Sequence, residues 1–248
     1  MKRTIIICLL EGFFFSFIFS QNGDHPDGGA FLKRVENNLY MKWLYNLSSK
    51  GNVEKLFFGE FNAPVEFFHE PSFEGASGFR IVRDSLKKSY TIELKHVSNY
   101  EEAQKEASNK YELFGISDLS STPKDLCDKI REHNSAMTSK YFEELPKLFR
   151  IETKALSIGD QFAEKLYKKM GSFIEKFKVK GLPNGIDDGY CVTFRTVVED
   201  EVWSLWIHEP QGNALKMSNL CRQIIADAKE NQLDEAKYIS VLNTFEDQ

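Results

Sequence analysis

The chain is poor in cysteine. Four occur in 248 residues, and one of them, Cys8, lies in an apolar N-terminal run. The others, Cys127, Cys191 and Cys221, are odd in number and widely spaced, which excludes a disulfide framework. There is no C-x-x-C and no H-x-x-x-H, so the common zinc-ligand spacings are absent. An excess of positive charge is also missing. The formal net charge is -5, whereas non-specific nucleic-acid binding needs a basic footprint. Beyond residue 20 no apolar run is long enough to span a bilayer. No cofactor signature is found, and no cofactor is expected.

What is present begins with Lys2 and Arg3. An apolar run, TIIICLLEGFFFSFIFS, covers residues 4–20, and the polar stretch QNGDHPDGG follows. This is the anatomy of a secretory signal peptide over residues 1–20, with a polar leader over 21–29. Glu11 at the centre of a spanning helix would cost about 2.5–3.5 kcal/mol, which disfavours a retained anchor. Cys8 follows Ile7 rather than a small residue and is not a lipidation cysteine. The mature chain is therefore expected to be extracytoplasmic, periplasmic or secreted, with no stable membrane insertion.

Residues 30–49 place Phe31, Leu32, Val35, Leu39, Trp43 and Leu47 at helical spacing, and Gly51 ends that helix. KLFFGEF (55–61) and PVEFFHE (64–70) read as two short strands around Pro64. GFRIVRDSLKKSYTIELKHV (78–97) reads as a hairpin, with Phe79 and Ile81 alternating out and Tyr90, Ile92 and Leu94 alternating back. Asn99 caps a charged helix near 100–110. Thr122 and Pro123 open another, and Pro146 closes the region. LFRIETKALSI (148–158) is then a strand. GDQFAEKLYKKMGSFIEKF (159–177) is a helix with Phe162, Leu166, Met170, Phe173 and Phe177 along one side. LPNGIDDG is a loop, and DGYCVTFRTVVEDEVWSLWIHEP (188–210) is a second hairpin. Residues 212–231 form a helix burying Leu215, Cys221, Ile224 and Ala228, and a short helix over 233–246 begins at Asp234.

Strands joined as hairpins rather than by βαβ crossovers predict an α+β fold, with antiparallel sheet and helices packed on its core face. The loosely similar order of the two halves is compatible with two subdomains, 30–145 and 146–248.

With Glu199–Asp200 as the tight turn, Val192, Phe194, Trp203, Leu205 and Ile207 share the core face of the second hairpin. Cys191, Thr193, Arg195, Ser204, Trp206 and His208 share the other. This register sets Cys191 opposite His208 and Thr193 opposite Trp206, at the roughly 4.5–5.5 Å of cross-strand neighbours. A thiol beside an imidazole can become a nucleophile. Reactive cysteines, however, usually sit at helix N-termini or strained turns where oxyanion donors are at hand, and this one is in mid-sheet. Both residues become packing if another layer covers the face. No catalytic residue is assigned. Arg195, Trp206 and His208 are the candidate ligand-binding residues, since a cation beside an indole can stack a sugar or an aromatic ring.

Other motifs fail on context. SLKK at Ser85–Lys88 lies in a hairpin turn and lacks its companion motifs. GASG at Gly75–Gly78 is not a nucleophile elbow, and NGIDDG at Asn184–Gly189 lacks the alternating acidic pattern of a calcium loop. The tripeptide HEP occurs at His69–Pro71 and His208–Pro210. Val65, Phe67 and His69 share a face, whereas Ile207 and His208 do not. The two copies are out of register and read as strand ends, not as a shared metal site.

The signal peptide running into Ser20–Gln21, and the strings EPSFEGASGFRIVRD and VWSLWIHEP, resemble uncharacterised exported proteins of Bacteroidetes-type bacteria. The resemblance is one of texture across the mature chain. It implies a periplasmic or surface location and carries no site residue with it. The expectation is an exported, non-enzymatic binding or structural module with a protein or glycan partner in the cell envelope. The alternative is an extracytoplasmic hydrolase or thiol enzyme using Cys191 and His208.

Overall fold

A computed structural model describes residues 32–36, 53–59, 63–84, 89–115, 122–177, 189–198 and 201–245. Seven strands form one sheet: β1 (Leu32–Glu36), β2 (Val65–Pro71), β3 (Ser77–Asp84), β4 (Ser89–Val97), β5 (Ile151–Ile158), β6 (Tyr190–Val198) and β7 (Glu201–His208). Their order across the sheet is β1-β7-β6-β2-β3-β4-β5. Strands β2–β7 pair antiparallel, and β1 lies parallel to β7. The helices are α1 (Val53–Phe57), α2 (Tyr100–Lys110), α3 (Lys124–Glu144), α4 (Asp160–Lys176), α5 (Gly212–Lys229) and α6 (Glu235–Asn243), with a 3-10 turn at Leu145–Leu148. The fold is α+β. Among the described residues no helix is long and apolar enough to cross a membrane.

Segments 30–145 and 146–248 share this sheet: β5 pairs with β4, and β6 pairs with β2. They also share the main core. Val65, Phe67, Phe79, Ile81, Ile92 and Leu94 from the first half pack with Phe162, Leu166, Met170, Phe194, Leu205 and Ile224 from the second. Phe67 is central, its ring 5.8 Å from Phe79 and 5.2 Å from Phe194 between centroids. Both hairpins have the alternation expected. The pairs Val192–Ile207, Thr193–Trp206, Phe194–Leu205 and Val197–Val202 stand in register, as do Phe79–Leu94 and Ile81–Ile92. Asp234 caps α6, its side chain accepting from the Lys237 amide at 3.1 Å.

Five local expectations are corrected. Over Leu32–Glu36 the backbone is a strand, not the start of a helix. The open edge of β7 offers a row of backbone partners that outweighs helical spacing in so short a segment. The rest of that expected helix, with Gly51, lies outside the described residues, as do residues 1–31. Val53–Phe57 is helical, not extended. A strand would send Phe57 and Phe58 to opposite faces, but the helical turn brings both rings onto Phe68, at 6.5 and 5.7 Å. Gly59 then leaves the helix at φ +69, a conformation glycine adopts without strain. On α5 the buried stripe is Ala214, Met217, Cys221, Ile224 and Ala228, at alternating steps of three and four, and Leu215 falls off it, 38% exposed. Finally, Pro123 rather than the expected Thr122 holds the N-cap position of α3, and Asn99 makes no side-chain cap. Its Oδ1 accepts from the Arg150 amide at 2.6 Å and its Nδ2 donates to the Leu148 carbonyl at 2.9 Å, which ties the start of α2 to the start of β5.

Candidate functional site

Residues on the sheet face away from the main core form rows across the strands. Register places Arg195 (β6), Glu66 (β2), Arg80 (β3) and Glu93 (β4) side by side. Their charges alternate. Arg195 Nη1 lies 3.1 Å from Glu66 Oε2, and Arg80 Nε donates to Glu93 Oε2 at 2.6 Å. Glu66 is fully buried, and neither of its oxygens accepts a well-aligned hydrogen bond. Burial raises its pKa to about 7 against the pull of Arg195 and Arg80, with a smaller upward push from Glu54.

Helix α1 covers part of this face. Phe57, Phe58, Phe68, Val53 and Val97 form a small apolar cluster there. The Phe58 ring sits 5.0 Å from the Arg80 guanidinium and 5.3 Å from the Lys95 ammonium, and Lys95 Nζ donates to the Phe57 carbonyl.

The next rows carry the sequence-predicted residues. Thr193 stands between Phe68 and Trp206, and Cys191 between Glu70 and His208. The predicted neighbours are therefore brought together, but inside the protein. Trp206 is 9% exposed, His208 1%, Cys191 4%, and the Arg195 side chain 13%. In this conformation Arg195, Trp206 and His208 offer no open stacking face. The Cys191 thiol is buried and forms no disulfide. Cys221, likewise outside a disulfide, lies on α5 in the main core, on the other side of the sheet, where burial pushes its thiol far up.

The two HEP segments are strand ends on opposite faces. His69 pairs in register with Val192 on the core side, whereas His208 pairs with Cys191 on the other, so the two imidazoles cannot converge on one ion. His69 meets the Tyr190 ring edge-on at 5.1 Å, and Arg222 lies over that ring at 5.0 Å. Burial first, and Arg222 second, lower the His69 pKa to about 4. Glu209 closes the base of the hairpin at φ +48. Its amide donates to the Tyr190 carbonyl at 3.0 Å, and its Oε1 accepts from the Tyr190 amide at 2.8 Å. Among the described residues no group of three or more His, Cys, Asp or Glu could hold a metal.

A second feature was not read from sequence. Helices α2 and α3 pack with the 3-10 turn around Ala103, Ala107 and Leu145. In the segment after α2, Leu113 and Phe114 are 53% and 51% exposed. Phe114 is nevertheless held. Asn134 of α3 accepts from the Phe114 amide at 2.9 Å and donates to its carbonyl at 2.8 Å. The Phe114 ring stacks on His133 at 4.6 Å. The only sequence signal was a Leu-Phe pair in a polar loop, with no mark of which side chain would fix it.

No protein-family model, curated protein or solved structure matches the chain.

Proposed function

We propose that the chain is an exported, non-enzymatic binding module of the cell envelope. The sheet and helices α4–α6 form its scaffold, and the Leu113–Phe114 segment seats a partner protein. The observation that carries this reading is the reciprocal Asn134–Phe114 pair, which fixes the backbone at Phe114 while the Leu113 and Phe114 side chains stand exposed. Fixing such a segment before contact removes part of the ordering cost of binding, and large apolar anchors dominate protein interfaces. Export rests on the N-terminal pattern of residues 1–20.

Two measurements on the native host test this. Intact mass should show loss of about 20 N-terminal residues, the span of the n- and h-regions. Co-purification from the envelope fraction should recover a stoichiometric partner with the wild type and lose it with Leu113→Ser/Phe114→Ser. An uncleaved chain, or a partner indifferent to that double variant, would remove the support for the reading. Recovery of glycan in place of protein would retain the module and change its ligand.

The competing reading is a thiol enzyme. It is favoured by the cross-strand placement of Cys191 and His208. Against it stands their burial, which leaves a substrate no path to the sulfur in this conformation.

A further inference from the structure

Glu66 is the only carboxylate in the buried class among the described residues. The described elements beside it bring charges to it. Arg195 faces it from β6 and Arg80 from β3. Glu93 and Lys95 of β4 flank Arg80 and the Phe58 ring. Glu54, in the first turn of α1, acts on it with its own negative charge. Helix α1 is held to the sheet through the same groups: Phe58 lies over Arg80 and Lys95, and Lys95 bonds the Phe57 carbonyl at the end of the helix.

We infer that Glu66 is a proton-operated latch for α1: with the proton on, the helix seats over β2 and β3, and with the proton off, it loosens. Three physical effects set the direction. An ionised Glu66 is kept dry with no aligned hydrogen bond, a state that burial penalises more than any other effect acting on the group. It is repelled by Glu54 on the cover itself. It also competes with Glu93 and the Phe58 ring for Arg80. Arg195 and Arg80 oppose these effects, and burial outweighs them. Lifting α1 would admit water to the carboxylate, take Glu54 away, and uncover Phe57, Phe58 and Phe68. The device acts in the neutral range and is independent of the partner segment at Phe114.

Amide hydrogen exchange on the full chain tests it. The Phe58 and Gly59 amides bond the Glu54 and Lys55 carbonyls at 2.9 and 3.2 Å, so both report opening of α1. After correction for base-catalysed intrinsic exchange, their opening equilibrium should rise about tenfold between pH 6 and pH 8, as a pKa returning from about 7 to 4.5 on opening requires. The Met170 amide in α4, in the main core, opens on global unfolding, which is linked to the same proton; its opening equilibrium should carry the same slope but lie well below that of Phe58 and Gly59 at both pH values. Glu66→Gln should hold opening at the low-pH level throughout. Should that variant fail to fold, Glu54→Gln serves instead: the rise persists and its midpoint moves to lower pH. Opening that is independent of pH, that rises equally in Glu66→Gln, that shows no midpoint shift in Glu54→Gln, or that is no larger than the Met170 opening, would overturn the latch.

Discussion

Cys191 of β6 and His208 of β7 are direct cross-strand partners, and both are buried. A thiol beside an imidazole can be activated as a nucleophile only where substrate can reach it. Burial without access makes packing. The account therefore expects native Cys191 to react with a soluble thiol probe no faster than Cys127, which is also buried. Peptide mapping after timed labelling checks this. All three thiols should label rapidly once the chain is unfolded. Selective, fast modification of Cys191 in the native protein would restore the thiol-enzyme reading.

Glu66 gives a pH dependence of stability with a definite sign. Its folded pKa, about 7, lies above the 4.5 of an unfolded carboxyl. The folded state thus holds the extra proton between these values, and the Glu66 contribution to stability is fully present below 4.5 and is lost as pH rises through 7. The full effect is of the order of 3 kcal/mol, at 1.36 kcal/mol per pKa unit. Urea unfolding of Glu66→Gln at pH 8 should show a gain over wild type that shrinks to less than about 1 kcal/mol at pH 5. Equal midpoints at pH 8 would remove the buried-carboxyl argument.

His69 works the other way. Its folded pKa, about 4, lies below the ordinary 6.5, so the unfolded state takes up the proton first as pH falls. Stability from this residue is complete above 6.5 and is lost towards pH 4. In wild type the two slopes partly cancel between 4.5 and 6.5. His69→Gln in the Glu66→Gln background should flatten the acid limb that the single Glu66→Gln variant exposes. An acid limb unchanged by His69→Gln would place its origin elsewhere.

The corrected face of α5 and the position of Phe194 can be read in truncations. Phe194→Ala removes a fully buried ring packed on Phe67 and Phe173 and should cost about 3–5 kcal/mol. Leu215→Ala, at an exposed position, should stay within about 0.5 kcal/mol. Chemical denaturation of both variants gives the comparison. A Leu215→Ala cost comparable to Phe194→Ala would return Leu215 to the core.

Local pattern was legible in the sequence where one side of an element is buried. Period-two alternation set the faces of both hairpins and, with the turn at Glu199–Asp200, the register of the second, including Cys191 against His208, because a one-residue slip would turn Phe194 and Leu205 to the wrong face. The stripe of α4 and the cap at Asp234 were equally local. What could not be read depends on distant partners. β1 is a strand because β7 has an edge, and α1 is a helix because Phe68 awaits two rings. Glu66 gains its character only when β2 meets β6, residues far apart in sequence. Without that pairing it reads as an ordinary surface carboxylate. Arg195 was singled out, but its partner was not, for the same reason. The burial of Trp206 likewise depends on tertiary packing that alternation does not report.

The most direct test of the binding reading is site-specific photo-crosslinking in the native host, with the photoreactive residue at position 114 and, as control, at the exposed position 168 on α4. One discrete adduct is expected from position 114 in the envelope fraction and none from position 168. Asn134→Ala, which releases the segment, should reduce the adduct several-fold while changing global stability by only about 1 kcal/mol. No adduct at position 114, or equal labelling from both positions, would contradict a partner seated on Leu113 and Phe114.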